Sequence, residues 1–289
     1  MKPTICFLSL VFLVACCGFA HAEPIELRFK PKVGQETKHR MMIAARVESS
    51  SQSEEEGSSA EHGEAQVRID FARKVTAGEG EETTIETRQL KGEVSVTVEG
   101  KETTIALPPF RCVKHFDRRR HEVGLSEDDG GDPPESDEEG TGCEIVGSLG
   151  IGCGMWAEMA DMLTLPAEPV EVGATWKHEH VSVAQGEKFV LNYKLEELTT
   201  RSGRKCAKIR ATWRHQFSSK GLSDLAEMQP GTTNILAAEG VTTGDLVCYY
   251  DYENSVDVLV EGTLGNESTT VATGSTDKAV MNVKIALVE

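Results

Sequence analysis

Apolar and polar residues alternate with a period of two along much of this chain, the pattern of strands that bury one face and leave the other to water. In Glu93-Val94-Ser95-Val96-Thr97-Val98-Glu99 every second residue is valine. The C-terminal stretch repeats this, with Met281, Val283, Ile285 and Leu287 on one face and Asn282 and Lys284 on the other. Strand-like runs cover Met41 to Val47 and Val181 to Ala184, and shorter alternating runs Val67 to Phe71 and Phe189 to Tyr193. Gly-containing turns separate them, Ala77-Gly78-Glu79-Gly80 and Arg201-Ser202-Gly203 among them, and no regular exchange of strand with long amphipathic helix intervenes. Antiparallel meanders follow from that pattern. Helical spacing occurs in two places, Met155 to Leu163 and Leu222 to Met228, the second ended by Gln229-Pro230-Gly231.

A short match divides the chain in two. Val33-Gly34-Gln35-Glu36-Thr37-Lys38-His39 aligns with Val172-Gly173-Ala174-Thr175-Trp176-Lys177-His178, both reading V-G-x-x-x-K-H. Each copy leads into a strand-like run, a second alternating strand and a polar turn, so duplication explains the order better than chance. The expected fold class is mainly β, with two related antiparallel β-meander halves and one or two short helices. The expected divisions are a signal peptide over 1–22, a first β-rich half over 23–126 with a mobile loop at 49–64, an acidic linker over 127–142, a helical connection over 143–167 and a second β-rich half over 168–289. The loop at 49–64 is expected because its Ser, Glu and Gly content offers almost no apolar surface to offset ordering entropy.

The N-terminal segment changes the picture from fold to location. Lys2 precedes an apolar run from Ile5 to Ala15, and Ala20-His21-Ala22 has the small-x-small pattern of a cleavage site. The protein is therefore expected to be exported, periplasmic or secreted. Leu13-Val14-Ala15-Cys16 also fits a lipoprotein signal, in which Cys16 would be lipidated and the protein anchored in the cell envelope. The run is shorter than the roughly 20 residues a spanning helix needs, so no transmembrane span is expected in the mature chain. The formal net charge of −17 argues against a nucleic-acid partner, whose phosphates would be repelled. The cysteines beyond the leader are Cys112, Cys143, Cys153, Cys206 and Cys248. In an oxidising compartment the favoured pairings are Cys143 with Cys153 and Cys206 with Cys248, leaving Cys112 free.

Candidate chemistry is sparse. Glu127 to Glu139 is rich in carboxylates but lacks the ligand ladder and central Gly of a calcium loop, so it reads as solvated linker. Lys114, Arg118, Arg119, Arg120 and His121 form a basic patch whose simplest role is pairing with that acidic run. His178 and His180, two apart on a strand, share a face, and His215 on a nearby strand gives a three-histidine candidate for a metal. No H-E-x-x-H or similar pair completes it, and a solvated sheet face is the simpler account. Cys112-Val113-Lys114-His115 lacks a matching half-site, Val146 to Gly150 misses G-x-S-x-G by one position, and Gly150, Gly152 and Gly154 lack a βαβ setting. Asn266-Glu267-Ser268 is a glycosylation sequon, meaningful only in a eukaryotic source. Trp176 is assigned to the core.

The segment Val172-Gly173-Ala174-Thr175-Trp176, after Leu165 to Val170, and the opening Leu27 to Gly34 resemble recurring pieces of uncharacterised secreted proteins from planctomycete-type bacteria. The resemblance covers about a fifth of the chain and implies an envelope-located β-rich fold without an assigned activity or catalytic residue. The expected function is thus a non-enzymatic envelope protein with a binding or scaffolding surface, its partner an envelope protein, glycan or lipid, with no cofactor. An apolar ligand held between the halves is its specific form. The competing class is an envelope hydrolase or metal-dependent enzyme built on His178, His180 and His215.

Overall fold

The computed structural model describes residues 23–53, 57–98, 100–107, 109–125, 160–181, 188–218, 238–270 and 275–288. Among the described residues twelve strands form one antiparallel sheet. β1 (Glu36–Ser53), β2 (Gly57–Glu79) and β3 (Glu82–Val98) are successive hairpin strands, and β4 (Lys101–Ala106) and β5 (Arg111–Phe116) both pair with β3, side by side along it. β6 (Glu122–Leu125) forms one edge. The chain returns through β7 (Thr175–Val181), the other edge, and then β8 (Lys188–Arg201), β9 (Arg204–Ser218), β10 (Ala238–Asp251), β11 (Val256–Thr270) and β12 (Thr276–Val288), each of these five paired with its predecessor. β12 then pairs with β1 from Lys38↔Val288 to Ser50↔Thr276, giving the order β6-β5-β3-β2-β1-β12-β11-β10-β9-β8-β7.

This corrects the expected fold class. In place of two β-meander halves with one or two short helices, the described residues form a single antiparallel sheet whose named elements are all strands, with helical backbone confined to Ala160 and Asp161. The Leu222 to Met228 helix and residues 155–159 of the other lie outside the described residues. At the described end of the latter, Ala160 and Asp161 are helical and Leu163 follows as irregular chain, with Ala160 and Leu163 packed into the sheet's core. Within the segment expected as a loop, residues 49–53 and 57–64 are the paired ends of β1 and β2, with Ser50↔Ala60 and Ser53↔Gly57. Ladder hydrogen bonds need no apolar side chain once two long strands are in register.

The two motif copies build the same local structure. Gly34 and Gly173 both take positive φ, at 83° and 95°, which favours glycine. Gly34 N donates to Val75 O while Gln35 O accepts from Val75 N; Gly173 N donates to Leu195 O while Ala174 O accepts from Leu195 N. Each turn launches a strand that pairs with the next, β1 with β2 and β7 with β8.

The sheet curls until its edges approach. The His121 ring, just before β6, lies 4.6 Å from that of His178 on β7, and Leu165 N donates to Arg119 O across the same seam at 2.7 Å. The concave face holds one hydrophobic cluster drawn from strands on both sides. Its convex face carries charged cross-strand pairs, among them Arg40–Asp70, Arg46–Glu64 and Lys208–Glu196. That is a solvated surface rather than the apolar band of a lipid-facing barrel. Among the described residues no helix is long and apolar enough to cross a membrane.

Candidate functional site

The concave face is graded along the strands. One end is filled by three segments outside the strands, Ile25 to Pro31, Asp117 to His121 and Ala160 to Pro166, which bond to one another and to the sheet. Phe29 N donates to Arg118 O, Tyr193 Oη to Met162 O at 2.5 Å, Tyr250 Oη to Arg28 O at 2.8 Å and Trp176 Nε1 to Thr164 O at 2.8 Å. Trp176 also stacks on Tyr193. Charge is buried among these segments. Arg120, 2% exposed and held at a positive φ of 61° by the Asp117 turn, grips Asp257 of β11 with both terminal nitrogens, at 2.6 and 2.5 Å. Its Nη2 also donates to Ala160 O. Arg73 of β2 pairs with Asp161 at 2.5 Å. Lys114 of β5 lies 3.3 Å from the same carboxylate and 2.8 Å from Glu122.

Three cations thus meet three carboxylates. Burial alone would raise the Asp161 and Asp257 carboxyls, but the guanidiniums of Arg73 and Arg120, with Lys114 beside Asp161, outweigh it and hold both below the usual range. Burial disfavours the Arg120 charge, yet Asp257 more than restores it. His39 stacks on Phe71 and its Nε2 bonds Thr37 Oγ1. Burial, with Arg73 second, lowers its pKa to about 4, so it is neutral near pH 7. Burial and Asp257 raise the Cys248 thiol, whose Sγ lies 3.5 Å from that carboxylate, and burial lifts Cys112 to about 11; neither is a thiolate near neutrality. A cavity of about 30 Å³ among Thr37, His39, Arg73, Arg120 and Asp257 has room for about two waters.

Beyond the ion network come apolar rows read across the strands. One runs Val67–Ile43–Val283–Gly262–Leu246–Ala211. The next runs Ala65–Ala45–Met281–Leu264–Gly244–Trp213. Past these the face turns polar, first at Asn266, Thr242 and His215, then at Ser49, Asp277 and Ser268. On the β8–β10 side an aromatic strip crosses this boundary. Phe189 lies 6.3 Å from Trp213 and 5.7 Å from His215, and Phe189, Trp213 and Phe217 are only half-buried. The strip lies on glycine. A Cβ at Gly244 would run into the Trp213 ring, and one at Gly240 into Phe217, so β10 is bare where the rings lie across it. The strand ends at His215, Phe217 and Gly240 border a wide opening to solvent.

The residues singled out from sequence fall as follows. His178 packs on His121 and pairs in register with Leu191, while His215 lies two strands away beside Phe189. His180 pairs in register with Phe189. Among the described residues no group of three or more His, Cys, Asp or Glu side chains is placed to hold a metal ion. Cys206 and Cys248 are both free thiols, which corrects their favoured pairing. Cys248 is opposite Ile209 and Cys206 opposite Asp251, three positions apart in register, so they face opposite sides of the sheet. Cys16, Cys143, Cys153 and the acidic run lie outside the described residues. Lys114 and Arg120 of the basic patch are buried against Asp161, Asp257 and Glu122. The sequence reading missed Arg73, Asp161 and Asp257; the signal for Asp257 was a charge set inside the apolar run Val256 to Val260. Asn266, the sequon asparagine, sits inside β11 on the concave face.

No family model and no curated protein matches this chain. Among solved structures it is similar to lipovitellin, described for its lipid-protein interactions, at 9% identity and a TM-score of 0.45, over 90% of this chain and 25% of that one. The chain therefore spans about a quarter of lipovitellin's length. It is also similar to DynF of the dynemicin biosynthesis pathway of Micromonospora chersina, at 8% identity and a TM-score of 0.24, over 91% of this chain and 85% of that one. Neither likeness is close enough to carry a functional argument.

Proposed function

We propose that this chain is an exported, non-enzymatic binding protein that holds an apolar ligand on the concave face of its sheet. The aromatic strip of Phe189, Trp213 and Phe217 carries the reading: half-buried rings, two of them lying across glycines of β10, give large, rigid contact area at the margin of an apolar face. The buried ionisable groups support a structural role for themselves, since Arg73, Arg120, Lys114, Asp161 and Asp257 engage one another at the opposite end of the sheet. Export rests on the leader pattern of residues 1–22.

The test is titration with diphenylhexatriene, an apolar probe that fluoresces out of water. Saturable binding is expected, weakened about tenfold or more in Trp213→Ala, the loss of one buried aromatic contact. Absence of saturable binding, or binding indifferent to both Trp213→Ala and Phe217→Ala, would sink the proposal.

A further inference from the structure

Asn266 stands where the concave face changes character. One row toward the ion network, its own strand offers Leu264, flanked by Met281 and level with Trp213. In its own row the neighbours are Ala279 on one side and Thr242 on the other. Its side-chain oxygen Oδ1 is buried and has no hydrogen-bond partner among the described residues. A buried acceptor in that state is rare in folded proteins, because it has given up water and gained nothing in return. One row further out, Asp277 brings a carboxylate, accepting from Ser49 Oγ at 2.6 Å.

From this gradation, and resting on the binding role proposed above, we infer that the ligand is an amphiphile whose head donates a hydrogen bond to Asn266 Oδ1 while its apolar body lies on Leu264, Met281 and Trp213. The head is a hydroxyl, amide or ammonium group. An anionic carboxylate or phosphate head is disfavoured, because it has no hydrogen to donate to Asn266 Oδ1 and brings a like charge toward Asp277. An apolar body alone would leave the Asn266 oxygen as it stands.

The experiment uses the full chain, bound diphenylhexatriene and two competitors with the same tail, decanol and decyl methyl ether. Decanol donates a hydrogen bond and the ether does not. Decanol is expected to displace the probe at about tenfold lower concentration, the worth of one good hydrogen bond. In Asn266→Leu, and in Asn266→Val should the leucine variant not fold, that preference is expected to shrink to near unity. Equal displacement by both competitors in the unaltered protein, displacement by neither, or a preference that persists in the variants overturns the inference and leaves the apolar-binding role standing. Failure of the protein to bind diphenylhexatriene at all removes both.

Discussion

His39 and His178 occupy the same place in two copies of one motif, and their surroundings separate them. His39 lies between Phe71 and the ion network, while His178 is half-buried at the seam against His121. The burial of His39 makes a claim about stability. Unfolded it would take a proton near pH 6.5, and folded only near pH 4. Between those values the unfolded chain binds the extra proton, so stability present above pH 6.5 is lost as pH falls toward 4, by about 3 kcal/mol. Asp161 and Asp257, held below the usual carboxylate range, add their own loss at lower pH. Urea unfolding at about pH 7 and about pH 4 should show a decline that His39→Asn flattens by about that amount. If variant and parent decline in parallel, the proton is being taken up elsewhere.

At the level of elements, β10 shows how glycine shapes the candidate site. Gly240 and Gly244 alternate with Thr242 on the concave face, and the rings of Phe217 and Trp213 lie across them from β9. Gly63, beside Val47 on the same face, has open space where a Cβ would stand. Gly244→Ala should therefore cost about 1–3 kcal/mol through overpacking and change the near-ultraviolet circular dichroism as Trp213 is displaced. Gly63→Ala should stay within about 0.5 kcal/mol. Equal effects would mean that the floor under the aromatic strip is not set by glycine. Much of the strand content could be read from the sequence, because alternation such as Met281 to Leu287 records burial of one face directly. The glycine floor could not, since Gly240 and Gly244 gain their meaning only from β9, which reaches them after a long connection. Nor could the ion network, whose partners Arg120 and Asp257 are 137 residues apart.

The whole molecule is closed by its first and last strands. β1 and β12 pair over thirteen positions in the middle of the sheet, so the two motif copies belong to one hydrogen-bonded ladder and one hydrophobic cluster. Arg120, just before β6, reaches Asp257 on β11, and Arg73 on β2 meets Asp161 in the segment before β7, tying the early and late parts of the chain a second time. Such coupling leaves no apolar boundary at which one part could unfold while the other keeps its core. Ile69 on β2 and Ile209 on β9 test this from opposite sides, both essentially fully buried. Ile69→Ala and Ile209→Ala should each cost about 2–5 kcal/mol and move one common transition. Far-ultraviolet circular dichroism and tryptophan fluorescence should trace it coincidently. Two separated transitions, with each substitution lowering only one, would mean that the motif copies mark independently folding units and that the β1–β12 ladder is too weak to join them.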